Sequence, residues 1–335
     1  MISDIDRDII NSLLSVFADD TKIKHIIETE EDIKSLQSDL ELVYKWGDKN
    51  QMRFNDLKFQ SIKYGNNSNF KEHQYKSPTG KPIQVDHNVK DLGIIMSHDL
   101  TFTKHIETVS ARCRSLTGWI LRTFNSRDKI VMLTLFKALI LPRIDYCSQL
   151  YSPTLLQEWY KLEGIQRRFT SYITEVKQYD YWTRLQHLKL YSIQRRYERY
   201  SIIYIWKIIN NLAPNLKSNP ITTHYSERRG LCCNVPALRN TRCPAKIVGI
   251  REGSFTIRGP KLFNILPREL RNLSDVSVDV FKRYLDKILC KLPDMPTVPG
   301  YAGCRATRSN SLLDIVPAHN YNSNMFYTGG HTCRP

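Results

Sequence analysis

Asp19 and Asp20 are adjacent carboxylates set between two short β-prone runs, Leu13-Leu14-Ser15-Val16-Phe17 before them and Thr21-Lys22-Ile23 after. Acidic residues between runs of this kind favour a tight turn, so the pair is expected at the tip of a β-hairpin. Two carboxylates this close repel each other unless a cation neutralises them. Hard divalent ions such as Mg2+ take oxygen ligands of this type. On these residues alone, a solvated Asp-Asp turn and a metal site both remain open.

A two-stranded hairpin needs neighbouring elements to hold it in place. Thr29 to Asn50 reads as a helix, with Thr29 as cap, Asp32 as its reciprocal partner, and Glu30, Glu31 and Asp32 in the first turn. Ile33, Leu36, Leu40, Val43 and Trp46 recur at helical spacing and should face a sheet. Phe59 to Tyr64 alternates like a strand, residues 66–82 read as a polar loop, and Ile83 to Val89 and Lys90 to Met96 read as further strands.

Phe17-Ala18-Asp19-Asp20 resembles the catalytic tip of the palm in reverse transcriptases of non-LTR (LINE-like) retrotransposons. Trp46, Asn50 to Met52, Phe54-Asn55 and Lys58 resemble that family's next palm element. Asp91-Leu92-Gly93-Ile94, Leu100-Thr101-Phe102 and His105-Ile106 resemble the segment where palm passes to thumb. Gly253 to Leu270, Phe281 to Leu289, Pro293-Asp294 and Pro299-Gly300-Tyr301 are similar to the family's C-terminal region. The resemblance implies an RNA-directed DNA polymerase whose partners are an RNA template, a DNA primer duplex and dNTP. It implies Mg2+ as cofactor, held by Asp19 and Asp20 with a third carboxylate from an earlier strand, and it puts Lys58 near the nucleotide's phosphates. Met1-Ile2-Ser3-Asp4-Ile5 resembles the connection that precedes the hairpin in the family, so the fingers and the third metal-binding Asp are expected upstream of this chain.

Charge supports a polyanionic partner. The 335 residues carry 49 Lys and Arg against 33 Asp and Glu, a net charge of +16. Residues 1–60 are net −5, whereas residues 101–199 are +9 and residues 226–291 are +8. An acidic start suits cations and the basic flanks suit phosphates. The eight cysteines include no CxxC pair, no early apolar run resembles a signal peptide, and no stretch is long and apolar enough to span a bilayer. A reducing, intracellular setting is expected, nucleus or cytoplasm left open, with no membrane partner.

From Thr101 the period becomes helical. His105, Val109, Arg112 and Leu116 share one helix face, Asp128 to Leu141 reads as a buried helix bent or ended by Pro142, and Glu158 to Ile173 shows Lys161, Arg167 and Arg168 outward. In Ser192 to Leu212 an apolar stripe faces away from Arg195, Arg196 and Arg199. Arginines on such a surface hold a nucleic-acid backbone without reading bases. Pro214 to Pro220 is a linker candidate. His224, Cys232, Cys233 and Cys243 lack the spacing of a zinc knuckle. Ser254 to Phe263, with Arg258 and Lys261, reads as a strand and turn or as a base-stacking segment.

The expected class is α+β: a partial palm over 1–100 with a small antiparallel sheet and a helix, a helical thumb over 101–213, a basic C-terminal region over 214–301, and a disordered tail over 302–335. Three functions compete. One is an active polymerase, for which two-metal chemistry needs a third carboxylate. Another is a non-catalytic, sequence-indifferent nucleic-acid-binding remnant. The last is a fragment with no biochemical role, whose truncated palm exposes apolar surface and sheet edge.

Overall fold

The computed structural model describes residues 5, 11–52, 54–65, 73–215, 219–237, 245–299 and 310–316. The chain divides into two compact units, 1–101 and 102–335. Both mix helices with small sheets, so the class is α+β.

In the first unit β1 (Leu13–Phe17) and β2 (Asp20–Lys24) form an antiparallel hairpin, with Phe17 opposite Asp20 and Leu13 opposite Lys24. The two turn residues are therefore Ala18 and Asp19, one position earlier than the Asp-Asp turn expected, and Asp20 already belongs to β2. Ala18 takes φ 52°, a left-handed conformation that costs an L-residue about 1–2 kcal/mol.

Helix α1 (Glu30–Lys49) starts as its sequence requires. Thr29 Oγ1 accepts from the Asp32 N–H at 3.3 Å, and the Asp32 carboxylate accepts from the Thr29 N–H at 2.7 Å. Hydrogen bonds hold the Asp32 carboxyl below its usual range, led by the one from the backbone N–H of Glu28. The inner face of α1 buries Leu40, Val43, Tyr44 and Trp46. Leu40 and Tyr44 pack with Tyr75 and Ile83, while Val43 and Trp46 pack with Ile5; Leu14 and Ile23 of the hairpin close over these clusters.

The strands do not join into the single antiparallel sheet expected. Among the described residues each sheet has two strands. β3 (Gln60–Ser61) pairs in parallel with β4 (Gln84–Val85), and β5 (Asn88–Asp91) pairs antiparallel with β6 (Ile94–Ser97). Short strands with exposed positions offer little apolar surface on which a larger sheet could condense.

The second unit is mostly helical. Helix α2 (Thr103–Thr123) packs on α5 (Leu156–Thr170). Between them in the chain run α3 (Lys129–Leu135), a π-helical turn over Phe136–Ile140, and α4 (Leu141–Asp145). The widened turn lies just ahead of Pro142, which has no N–H for the regular ladder. Helices α6 (Tyr181–Leu188) and α7 (Ile193–Ile209) come next. Then come the hairpin β7 (Thr223–Ser226) and β8 (Gly230–Cys233), α8 (Ala245–Gly253), α9 (Phe255–Asn264), α10 (Arg268–Arg271), α11 (Val278–Leu289) and α12 (Leu312–Ile315).

The expected break between thumb and C-terminal region is absent from the packing. Ile202, Ile205 and Trp206 of α7 share one core with Leu262 and Phe263 of α9, Phe281 and Leu285 of α11, and Leu312 of α12. Trp206 and Phe281 stack with centroids 4.5 Å apart and planes 13° apart. Ser254 to Phe263, expected as strand and turn, is helical from Phe255 with Pro260 inside the helix. Burial of Leu262 and Phe263 in the core shared with α7 outweighs the local preference, and Gly259 lets the helices approach: a Cβ there would lie 2.8 Å from Ile205 Cδ1.

Residues 310–316 contradict the expected tail. Ser311 caps α12, and Leu312 and Val316 are buried. Residues 302–309 and 317–335 of that tail, and the Asp4 and Cys243 noted in the sequence, lie outside the described residues.

Candidate nucleic-acid interface

Asp19 and Asp20 both lie exposed at the tip of the first hairpin. Lys22, two residues on, is turned to Asp91 of β5 in an ion pair and hydrogen bond. Among the described residues no group of three or more His, Cys, Asp or Glu side chains is placed to hold a metal ion. Two carboxylates supply only part of the oxygen ligands that a Mg2+ ion takes, and they do not make up the two-ion clamp of phosphoryl transfer. Lys58 is exposed and ends a 3-10 turn, Asp56–Lys58, capped by Asn55.

The arginines of α7, read from the sequence as an outward phosphate-binding face, point inward. Arg195 is 0% exposed, and its Nη2 donates to the Pro293 carbonyl at 2.7 Å. Arg196 pairs with Asp145 and donates to the Tyr200 hydroxyl at 2.8 Å. Arg199 clasps Asp286 with both arms, at 2.6 and 2.7 Å. Arg258 donates to the hydroxyls of Ser152 and Ser201, and burial pulls its guanidinium down to about 10. The physical reason is position: α7 is packed by α5, α9 and α11, so both its apolar stripe and most of its polar side are covered. These four residues hold helices together and do not face a ligand. Lys261 is half-buried on α9.

Arg112 and Arg168 are exposed, and Arg167 is partly so. They stand on α2 and α5, whose buried faces are locked by Ile106, Val109 and Cys113 on one helix and Leu162, Ile165 and Phe169 on the other. The surface candidates that remain are therefore Asp19, Asp20, Lys58, Arg112, Arg167 and Arg168.

Sequence reasoning missed a buried polar network within the second unit. Asp294 accepts from the Ser192 N–H at 2.8 Å, the Ser192 hydroxyl at 2.7 Å and Asn310 Nδ2 at 2.7 Å. Glu198 accepts from the Ser311 hydroxyl at 2.6 Å and the Leu312 N–H at 3.0 Å, and burial pushes its carboxyl up to about 7. Glu163 accepts from the Tyr181 hydroxyl and, at 2.9 Å, from the Ile193 N–H. It borders a cavity of about 260 Å³ together with Trp159, Gln194, Pro296 and Asn310. The network ties residues 293–298 and 310–316 onto α6 and α7. Its only sequence signal was Pro293-Asp294 ahead of a proline cluster.

The cysteine-rich stretch is structural too. His224 and Cys232 face each other across β7 and β8, and Arg271 donates to Cys232 Sγ at 2.7 Å. Cys113, Cys147, Cys232 and Cys233 are free thiols. No described helix is long and apolar enough to cross a membrane. No protein-family description, curated protein or solved structure matches this chain.

Proposed function

We propose that this chain is the second half of the palm, the thumb and the C-terminal region of a non-LTR retrotransposon reverse transcriptase, and that by itself it binds nucleic acid without extending a primer. The observation that carries this reading is the exposed hairpin tip formed by Phe17-Ala18-Asp19-Asp20. An apolar strand delivers two adjacent carboxylates to solvent there, and a helix and a second hairpin come before the helical unit. The basic balance of residues 101–199 supports backbone recognition that ignores base sequence.

Asp19 and Asp20 would supply part of the ligand set for Mg2+, which when bound would offer hydroxyl activation and charge neutralisation for nucleotidyl transfer. The test is extension of a primed RNA template with labelled dNTP and Mg2+. No incorporation is expected from the chain alone. Incorporation that disappears on Asp19→Ala would overturn the non-catalytic half of the proposal. Absence of any binding to nucleic acid at low salt would overturn the other half.

A further inference from the structure

The outward side of α2 carries Lys104, Arg112, Arg114 and Arg122, all exposed and engaged in no ion pair among the described residues. The acidic residue of this helix, Glu107, is taken by Lys161 of α5 at 2.8 Å. Lys104 and Arg122 lie about five turns apart and so share one line along the helix. Arg112 and Trp119 share a neighbouring line, roughly 60–80° round the axis. Trp119 is 47% exposed, and Phe124 stands nearly perpendicular to it at 6.3 Å. Arg122 folds back over Gly118, where a Cβ would lie 3.4 Å from its Nη1.

Helix α5 runs in the same direction as α2. Thr103 Oγ1 donates to Glu158 at 2.6 Å near both starts, Lys161 pairs with Glu107, and the Thr174 N–H donates to the Arg127 carbonyl at 3.0 Å beyond both ends. One heptad after the Glu107–Lys161 pair stand Arg114 on α2 and Arg168 on α5, both exposed. Arg114 lies about 80° round α2 from the Lys104–Arg122 line, on the side away from Arg112.

We propose that the α2–α5 face binds a single strand of nucleic acid, with its phosphates on Lys104, Arg112, Arg114, Arg122 and Arg168 and an unpaired base stacked on Trp119. This rests on the proposed nucleic-acid-binding function and gives it a location. Lys104 to Arg122 spans about 27 Å, the length of about eight phosphates at B-form spacing. An exposed indole offers a stacking platform to a splayed base, whereas a duplex keeps its base faces covered. A membrane surface would call for a broad apolar face beside the cations; Ala111, Ser115 and Gly118 stand between them instead.

The test uses the full chain and a labelled mixed-sequence oligonucleotide, single-stranded or as a blunt duplex, with binding read by anisotropy from about 50 to 200 mM salt. Five engaged cations give a slope near −3.5 in log K against log salt, or about 100-fold weakening over that range. Replacing Arg112, Arg114 and Arg168 by Gln should lower the slope by about 2. Replacing the same three by Lys should keep the slope. Trp119→Leu should weaken single-strand binding about tenfold with the slope unchanged and leave duplex binding alone. The pair Arg283→Gln and Lys287→Gln on α11, exposed but elsewhere, should change neither. If the chain binds but the triple Gln variant matches wild type, or the α11 pair costs as much, the location is wrong while the nucleic-acid reading stands. Tighter binding to duplex that ignores Trp119→Leu overturns the single-strand assignment. No binding of either form at low salt overturns both.

Discussion

Raising the pH should weaken this fold, chiefly through Glu163. Its carboxyl lies buried in α5, accepting from the Tyr181 hydroxyl and the Ile193 N–H, and no ion pair among the described residues engages it. Burial pushes it up to about 8 from the usual 4.5, and the nearby Asp294 charge adds to the rise. Between these values the folded state keeps a proton that the unfolded chain has released. The associated stability is complete below about pH 4.5, declines as pH rises, and is gone above about pH 8. Three pH units at about 1.36 kcal/mol each give a loss of about 4 kcal/mol between pH 5 and 8. That is a large share of the roughly 5–15 kcal/mol that holds a domain folded.

Urea unfolding monitored by tryptophan fluorescence at constant ionic strength measures this loss directly. Glu163→Gln keeps the shape and cannot ionise. Its amide N–H can donate to the Tyr181 hydroxyl oxygen while its carbonyl oxygen accepts from the Ile193 N–H, as the protonated carboxyl does, so the variant should lie within about 1 kcal/mol of wild type near pH 5. Near pH 9 the variant should be the more stable, because the wild type then carries a buried charge and the variant does not. Glu198, raised to about 7 by burial, acts in the same direction and leaves a smaller slope in the single variant. Wild type as stable near pH 9 as near pH 5, or two parallel pH profiles, would refute the reasoning.

Other expectations concern packing, ion pairs and the hairpin. Trp206→Ala removes the ring stacked on Phe281 and the bond from its Nε1 to the Leu273 carbonyl at 2.8 Å, and should cost about 3–5 kcal/mol in urea unfolding. Arg199→Ala strands the Asp286 carboxylate and should cost about 3 kcal/mol while leaving the salt dependence of nucleic-acid binding unchanged; a lower slope would restore the surface role read from the sequence. Asn310→Ala deletes bonds to the Met295 N–H, Asp294 and Ser192, and should cost about 2–4 kcal/mol and hasten proteolysis near residues 293–298. Ala18→Gly relieves a left-handed backbone and should slow amide exchange in β1 and β2 by up to about fivefold, a gain near 1 kcal/mol; faster exchange would mean that the turn is not strained.

Local features could be read from sequence because local chemistry decides them. The hairpin tip forms where two short β-prone runs meet, although its turn is Ala18-Asp19 and not Asp19-Asp20, and α1 begins after Thr29 because this cap and Asp32 answer each other. Charge balance already favoured a polyanionic partner. What sequence could not show is which side of a helix meets solvent once several helices converge. Arg195, Arg196 and Arg199 occupy positions that a lone amphipathic helix would turn outward, yet α7 is surrounded and the three bind carbonyls and carboxylates inside. The proline-rich end likewise lacks helix and strand signals, but Asp294 and Asn310 anchor it through bonds to Ser192, far back in the chain. Periodicity reports one buried face. Only tertiary packing decides whether a second face is buried as well, and in this chain that decision moved the exposed cations from α7 to α2 and α5.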